Sequence, residues 1–329
     1  MARDLGKPPR RGTRKGVSLD TITANETANK IVTAADYPWR RAVISVDQFT
    51  RKDIEDIFAM ADRLAVGRTM PLTGKTIVNL FYEPSTRTSS SFYAAMTKLG
   101  GSVIPINEVN YSSVTKGETL EDTVRTLECY ADAIVLRHFD DDATERAARV
   151  CSVPIINAGN GSGEHPTQAL LDLYTIRRER GTLDGLRVTM MGDLKYGRTV
   201  HSLTKLLRLY DAKLRFVSPD ALRLPRDYLA ADDAEFTHLD AVIDDSDVLY
   251  VTRVQKERLA DTVDIDFSYA VTRADMDRAP RNMVLMHPMP RVGEIPAEID
   301  DDPRAAYFRQ MRYGLHVRMA LLVAMLGGN

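Results

Sequence analysis

Short apolar runs recur along the chain at residues 42–46, 76–81, 103–106, 133–136, 154–157, 188–191, 214–217, 248–252 and 284–286. Each is too short for a helix and reads as a buried strand. Segments with helix-period apolar residues lie between most of them, including 86–99, 120–130, 167–178 and 199–210. Apolar strands interleaved with helices predict parallel sheets covered on both faces. The expected fold class is α/β, with two doubly wound parallel-sheet domains and the helix over 167–178 as the bridge between them. Thr50 with Asp53 three residues on reads as a capping box, followed by a stripe of Ile54, Ile57, Phe58, Ala61 and Leu64. Residues 307–326 predict a closing amphipathic helix, with Leu315, Met319, Leu322 and Leu326 among its apolar positions.

Ligands of such sheets bind outside the carboxyl ends of the strands. Five strand ends here carry polar or cationic groups. They are Ser85-Thr86-Arg87-Thr88 after 76–81, Arg137-His138 after 133–136, and residues 192–198 after 188–191. Arg253 and Gln255 follow 248–252, and His287-Pro288 follows 284–286.

Composition narrows the class without choosing a function. The 329 residues suit two domains, and 44% hydrophobic with 27% charged residues is globular content. A net charge of −2 gives no reason to expect nucleic acid or a membrane surface as partner. No apolar run approaches the ~18 residues of a membrane helix. Cys129 and Cys151 are the only cysteines, which excludes a disulfide framework and makes a cytoplasmic setting the expectation. Arg3, Lys7, Arg10, Arg11, Arg14 and Lys15 against Asp4, spaced by glycines and prolines, make residues 1–35 a basic, flexible extension.

The chemistry concentrates at the strand ends. Ser85, Thr86, Arg87 and Thr88 open a helix, whose first N–H groups and positive dipole end favour an anion such as phosphate. An ordinary Ser/Thr cap with a solvated arginine is the competing reading of that segment alone. Lys116 beside Gly117 suits a mobile cation, and Thr119 suits a cap for the next helix. His165 precedes Pro166 at a helix start, where neighbouring cations and the dipole favour a neutral imidazole able to donate to a carbonyl oxygen. Arg87, Lys116, Arg137, His165, Arg198 and Arg253 together match a ligand with one phosphate and two carboxylates. Residues 192–199 (GDLKYGRT) match a phosphate-loop spacing except that Arg198 replaces lysine, which leaves a nucleotide-binding protein as a reading of a different class. The six histidines have no metal-ligand spacing, and neither a metal nor a cofactor is expected.

From residue 39 onward the chain resembles the aspartate carbamoyltransferases, in the aspartate/ornithine carbamoyltransferase superfamily. The likeness is carried by Ser85-Thr86-Arg87-Thr88, Lys116-Gly117-Glu118-Thr119, residues 132–138, His165-Pro166-Thr167-Gln168, residues 191–203, residues 250–259 and His287-Pro288-Met289-Pro290-Arg291. It implies transfer of the carbamoyl group of carbamoyl phosphate to L-aspartate, as in pyrimidine biosynthesis. Ser85, Thr86, Arg87 and Thr88 would hold the phosphate. Thr88, Arg137 and His165 would polarise the carbonyl. Gln168 and the backbone carbonyls of Pro288 and Met289 would take the carbamoyl NH2, and Arg198, Arg253 and Gln255 the aspartate. Ser112 and Lys116 would reach a neighbouring subunit's site, implying a homotrimer, with a regulatory chain or a dihydroorotase as further partners. The implied domains are 36–167 for carbamoyl phosphate, completed by a C-terminal helix (307–329) that returns to it, and 168–306 for aspartate. Ornithine as acceptor is disfavoured: that family typically has His-Cys-Leu-Pro where this chain has His287-Pro288-Met289-Pro290. Three serines after Thr88, where many relatives carry a further arginine, and Met289 in place of a common leucine depart from the family pattern.

Overall fold

The computed structural model describes residues 38–67, 69–107, 116–254 and 269–327. Two five-stranded sheets, all parallel, form its frame. The first contains β1 (Ala42–Val43), β2 (Thr76–Phe81), β3 (Ser102–Ile106), β4 (Ala133–His138) and β5 (Ile155–Asn160), in the order β1-β5-β4-β2-β3. The second contains β6 (Arg187–Met191), β7 (Lys213–Val217), β8 (Ala234–Phe236), β9 (Val248–Val251) and β10 (Val284–Met286), in the order β10-β9-β6-β7-β8. Sequence order reverses between β2 and β4 in one sheet and between β6 and β9 in the other. A doubly wound sheet opens its ligand crevice at such points.

The helices are α1 (Arg51–Val66), α2 (Thr86–Lys98), α3 (Leu120–Leu127), α4 (Ala143–Val150), α5 (Pro166–Arg180), α6 (Arg198–Leu207), α7 (Arg273–Arg278) and α8 (Tyr307–Leu326). Thr50 and Asp53 make the expected capping box of α1, and Thr119 caps α3. The bridging helix α5 is buried continuously from Pro166 to Ile176, so neither side of it faces water. One apolar core runs through both sheets by way of α5 and α8, from Trp39 and Phe58 to Phe216 and Tyr250. Smaller cores cover the far face of each sheet.

One sequence expectation changes, and three elements go unread. α8 is not amphipathic: Val317, Met319, Ala320, Leu321, Leu322 and Ala324 are all buried, because it packs against α1, α2 and α5 at once. A helix enclosed on most sides is apolar nearly all round. Its contacts with α1 and α2 return the closing helix to the first sheet's half, as the resemblance implies. The edge strand β8 and the short helices α4 and α7 carry too few periodic apolar residues to be read, α4 burying only Ala143, Thr144 and Ala147.

Candidate active site

The two switch points face one cavity of about 450 Å3, lined by the starts of α2, α5 and α6 and by the ends of β4, β9 and β10. The turn after β2 contributes Ser85, Thr86, Arg87 and Thr88, and α2 adds Ser91. Arg137 comes from β4, and His165 and Gln168 from α5. Arg198 and Thr199 come from α6, Thr252 and Arg253 follow β9, and His287, Pro288 and Met289 follow β10. Thus every described residue predicted for the site lines this cavity except Lys116, which is exposed elsewhere. Ser112 and Gln255 lie outside the described residues.

Helix starts account for much of the polarity. Ser85, His165 and Gly197 cap α2, α5 and α6 without a side-chain bond to the first N–H groups, whereas threonines close the ends of α1, α3 and α7. The starts of α2, α5 and α6 thus turn their positive dipole ends toward the cavity, which suits an anionic ligand. Among the described residues five arginines line it (Arg87, Arg137, Arg198, Arg253 and Arg318), and no carboxylate does.

Glu83 supplies a counter-charge just behind the lining. Its Oε2 lies 3.1 Å from Arg137 Nε and 3.3 Å from Arg198 Nη2, joining a strand end of the first sheet to a helix start beside the second. Arg198 Nη1 also donates to the Gly161 carbonyl at 2.7 Å. The guanidiniums pass over Gly159, where an added Cβ would stand 3.1 Å from Arg198 Cζ and 3.3 Å from Arg137 Nη1. Its φ of +110° is a conformation that L side chains rarely adopt. A register shift between Leu136 and His138 marks the point where Arg137 leaves the regular β4–β5 ladder.

His165 is held from both sides. Its N–H donates to Ser202 Oγ at 3.1 Å, and Glu164 beside it accepts from Ser45 Oγ, Val46 N–H and Lys205. Burial pushes the imidazole well below its ordinary pKa, and Arg198, Arg137 and Arg318 push it further. The ring is therefore neutral at working pH and can donate one hydrogen bond. Arg87 is also pushed down, first by burial and then by Arg253 facing it. The His287 Nδ1 accepts the Met289 N–H at 2.8 Å and fixes Met289 at a φ of 61°, which orients the adjacent carbonyls.

The phosphate-loop reading fails on backbone bonding. The N–H groups of Gly192, Leu194, Tyr196 and Arg198 donate to Val217 O, Leu222 O, Asp193 Oδ1 and Tyr196 O. A nucleotide-binding loop would turn such groups toward phosphates. Gly192 instead serves close packing, since an added Cβ would meet Thr252 O at 2.2 Å.

Sequence reasoning missed Glu83, Ser91, Arg318 and Asp172. The last two left a trace, a charge inside an otherwise apolar helical run, which is costly unless partnered.

Two family models match. The aspartate/ornithine carbamoyltransferase carbamoyl-P binding domain covers residues 41–178, and the family's Asp/Orn binding domain covers residues 184–325. The aspartate carbamoyltransferase catalytic subunit of Thermoplasma acidophilum is 46% identical over 300 residues, 87% of this chain and 98% of that one. Multifunctional protein pyr1-3 of Dictyostelium discoideum is 48% identical over 301 residues, 87% of this chain but only 14% of that much longer protein. The crystal structure of Trypanosoma cruzi aspartate transcarbamoylase with N-(phosphonacetyl)-L-aspartic acid superposes with a TM-score of 0.84 at 44% identity, covering 92% of this chain and 100% of that one. With both halves matched in order and the fold superposing over 92% of the chain, the chain belongs to the aspartate/ornithine carbamoyltransferase family.

Proposed function

We propose that the chain transfers the carbamoyl group of carbamoyl phosphate to the amino group of L-aspartate, releasing N-carbamoyl-L-aspartate and phosphate. The observation that carries this reading is the convergence of Arg87, Arg137, His165, Arg198 and Arg253 on one cavity at the starts of α2, α5 and α6. Relatives named aspartate carbamoyltransferase support aspartate over ornithine as acceptor, and so do two arginines on the side of the second sheet.

In this reading Ser85, Thr86, Arg87 and Thr88 hold the phosphate with the α2 N–H groups. Thr88, Arg137 and neutral His165 donate to the carbonyl oxygen, where negative charge grows as the amine attacks. Gln168 and the carbonyls of Pro288 and Met289 accept from the NH2 group. Arg198, Arg253 and Gln255 bind the aspartate carboxylates. Phosphate leaves as the carbon–nitrogen bond forms and carries away the amine proton. No covalent enzyme intermediate is required, so rate comes from positioning and charge stabilisation.

Ser112 and Lys116 complete a neighbouring subunit's site in a homotrimer. The exposure of Lys116, away from its own chain's cavity, supports that sharing. The domains of this reading are 36–167 with 307–329, and 168–306, supported by the sheet membership of the strands and the packing of α8. A cytoplasmic setting belongs to the same reading; among the described residues no helix is long and apolar enough to cross a membrane. Multifunctional relatives several times this chain's length support attached partners, for which the reading names a regulatory chain or a dihydroorotase.

The test is an assay of purified protein with carbamoyl phosphate and either L-aspartate or L-ornithine. Carbamoyl-aspartate formation is expected. Transfer to ornithine alone, or to neither, refutes the assignment. Mixing inactive Lys116→Ala and Arg87→Ala chains tests sharing: hybrid trimers with one intact site regain activity.

A further inference from the structure

Behind the cavity wall sits a buried carboxyl that does not line the cavity and, among the described residues, pairs directly with no cation. Asp172 on α5 is 0% exposed and receives three hydrogen bonds. Gln168 Nε2 lies 2.8 Å from its Oδ1, Gln310 Nε2 of α8 lies 2.6 Å from the same oxygen, and the Tyr250 hydroxyl of β9 lies 2.8 Å from Oδ2. Gln168 lines the cavity; Asp172 does not.

The orientation of these amides follows from chemistry. Gln310 is fixed at its far end, where its Oε1 accepts the His287 N–H at 3.1 Å, so its nitrogen must face Asp172. Oδ1 therefore already acts as an acceptor, and a glutamine oxygen placed against it would be repelled. Gln168 must also present nitrogen to Oδ1, which leaves its Oε1, bonded to no other described residue, toward the cavity.

We propose that Asp172 is a positioning residue that turns the Gln168 amide oxygen toward the substrate, and thereby selects an acyl phosphate carrying an NH2 group over one carrying a methyl group. This rests on the carbamoyl-transfer reading above. The arrangement tolerates either charge state of the carboxyl. Burial pushes Asp172 up to about 7, against the pull of its three donors and Arg318. A proton on Oδ2 is accommodated when the Tyr250 hydroxyl turns from donor to acceptor, while Oδ1 keeps both glutamines. What matters at Oδ1 is an acceptor.

The probe is acetyl phosphate, which replaces the carbamoyl NH2 by a methyl group of similar size. Its inhibition constant, set against the KM of carbamoyl phosphate with L-aspartate, gives a preference ratio for each variant. Asp172→Leu frees the Gln168 amide to turn, and the ratio falls about tenfold or more, through carbamoyl phosphate KM rather than through a matching loss for acetyl phosphate. Asp172→Asn keeps an oxygen at the Oδ1 position, with its NH2 donating to Tyr250, and retains the ratio. Asp172→Glu, one methylene longer, displaces the acceptor and lowers the ratio, and it stands in if the leucine variant does not fold. An unchanged ratio in whichever of these two folds overturns the proposal, as does a lost preference in folded Asp172→Asn. A purely structural role would weaken both acyl phosphates alike. Absence of carbamoyl transfer by the unsubstituted chain fails the underlying reading and this inference with it, whereas transfer with an unchanged ratio fails the inference alone.

Discussion

Replacing His287 by glutamine makes the protein less sensitive to mild acid. The ring is 1% exposed, and burial with Arg291, Arg87 and Arg253 nearby pushes its pKa down to about 3. Glu294 Oε2, 3.8 Å from Nε2, is too far to offset them by a hydrogen bond. In the unfolded chain the imidazole titrates near 6.5. Below that pH the unfolded chain binds a proton that the folded protein refuses. The contribution of this group is thus fully present above about pH 6.5 and is lost as the pH falls. Between pH 7.5 and 5.0 the loss is about 1.5 pH units at 1.36 kcal/mol each, or about 2 kcal/mol. His165 adds to it with the same sign. Asp172, pushed up to about 7, works the other way: it holds a proton in the folded state and gains stability as pH falls through that value. The overall slope of the unsubstituted protein is therefore a partial cancellation and tests nothing by itself. The difference between variants isolates the ring. Glutamine at 287 still offers an oxygen to the Met289 N–H and has no proton to refuse. Thermal unfolding at pH 7.5 and 5.0 reads the effect, with the Tm drop on acidification smaller in His287→Gln by about 3 °C. Equal drops in the two proteins would refute a neutral buried imidazole.

Three further outcomes are expected. Arg87→Ala lowers kcat by about 10²–10³, the usual range for one lost transition-state donor, yet leaves Tm unchanged or raised, because Arg87 is solvent-accessible and is repelled by Arg253; steady-state kinetics and thermal unfolding of the same sample decide it. Glu83→Gln removes the charge facing both Arg137 and Arg198 and destabilises the ligand-free protein by about 1.5–3 kcal/mol, read by urea unfolding; a loss that persists undiminished with saturating N-(phosphonacetyl)-L-aspartate would contradict the counter-charge role. Gly192→Ala forces a Cβ into Thr252 O at a φ of +118° and costs about 3 kcal/mol or more, with KM for aspartate rising as Arg253 shifts; a near-normal Tm would sink the packing argument.

How much of this was legible in the sequence depends on whether the signal was local. The strands β2 and β10 and the helix α8 have the limits their apolar runs predict, since burial on both faces writes itself as a continuous run. Caps at Thr50 and Thr119 were readable because donor and acceptor lie within a few residues, and His165 because Pro166 marks the first helical position. β8 has only Ala234 and Phe236 to offer beside Glu235, and an edge strand needs no more. The site residues that announced themselves stand in contiguous motifs at strand ends. Glu83, Arg318 and Asp172 did not, because their meaning lies in partners far along the chain. Gln310 and Asp172 are 138 residues apart, and Arg318 reaches Ser91 across 227. No periodicity encodes such pairs.

The charge pattern of the cavity also explains why so many cations can stand together without ligand. Arg137 and Arg198 share Glu83, and Arg318, pushed down to about 10 by burial, is relieved by Asp172 and donates to Ser91 Oγ at 2.9 Å. Arg87 and Arg253 have mutual repulsion to overcome. In the proposed reading, a ligand with phosphate at one end and two carboxylates at the other supplies anions between these two guanidiniums. Binding thus replaces repulsion by charge-assisted bonds while Glu83 keeps the middle of the site neutralised. Placing that carboxylate behind the wall, not within it, leaves arginine the one kind of charged side chain among the described lining residues. The two-sheet architecture makes this possible, because Glu83 sits on one half and Arg198 on the other, and their 3.3 Å contact ties the halves beside the cavity.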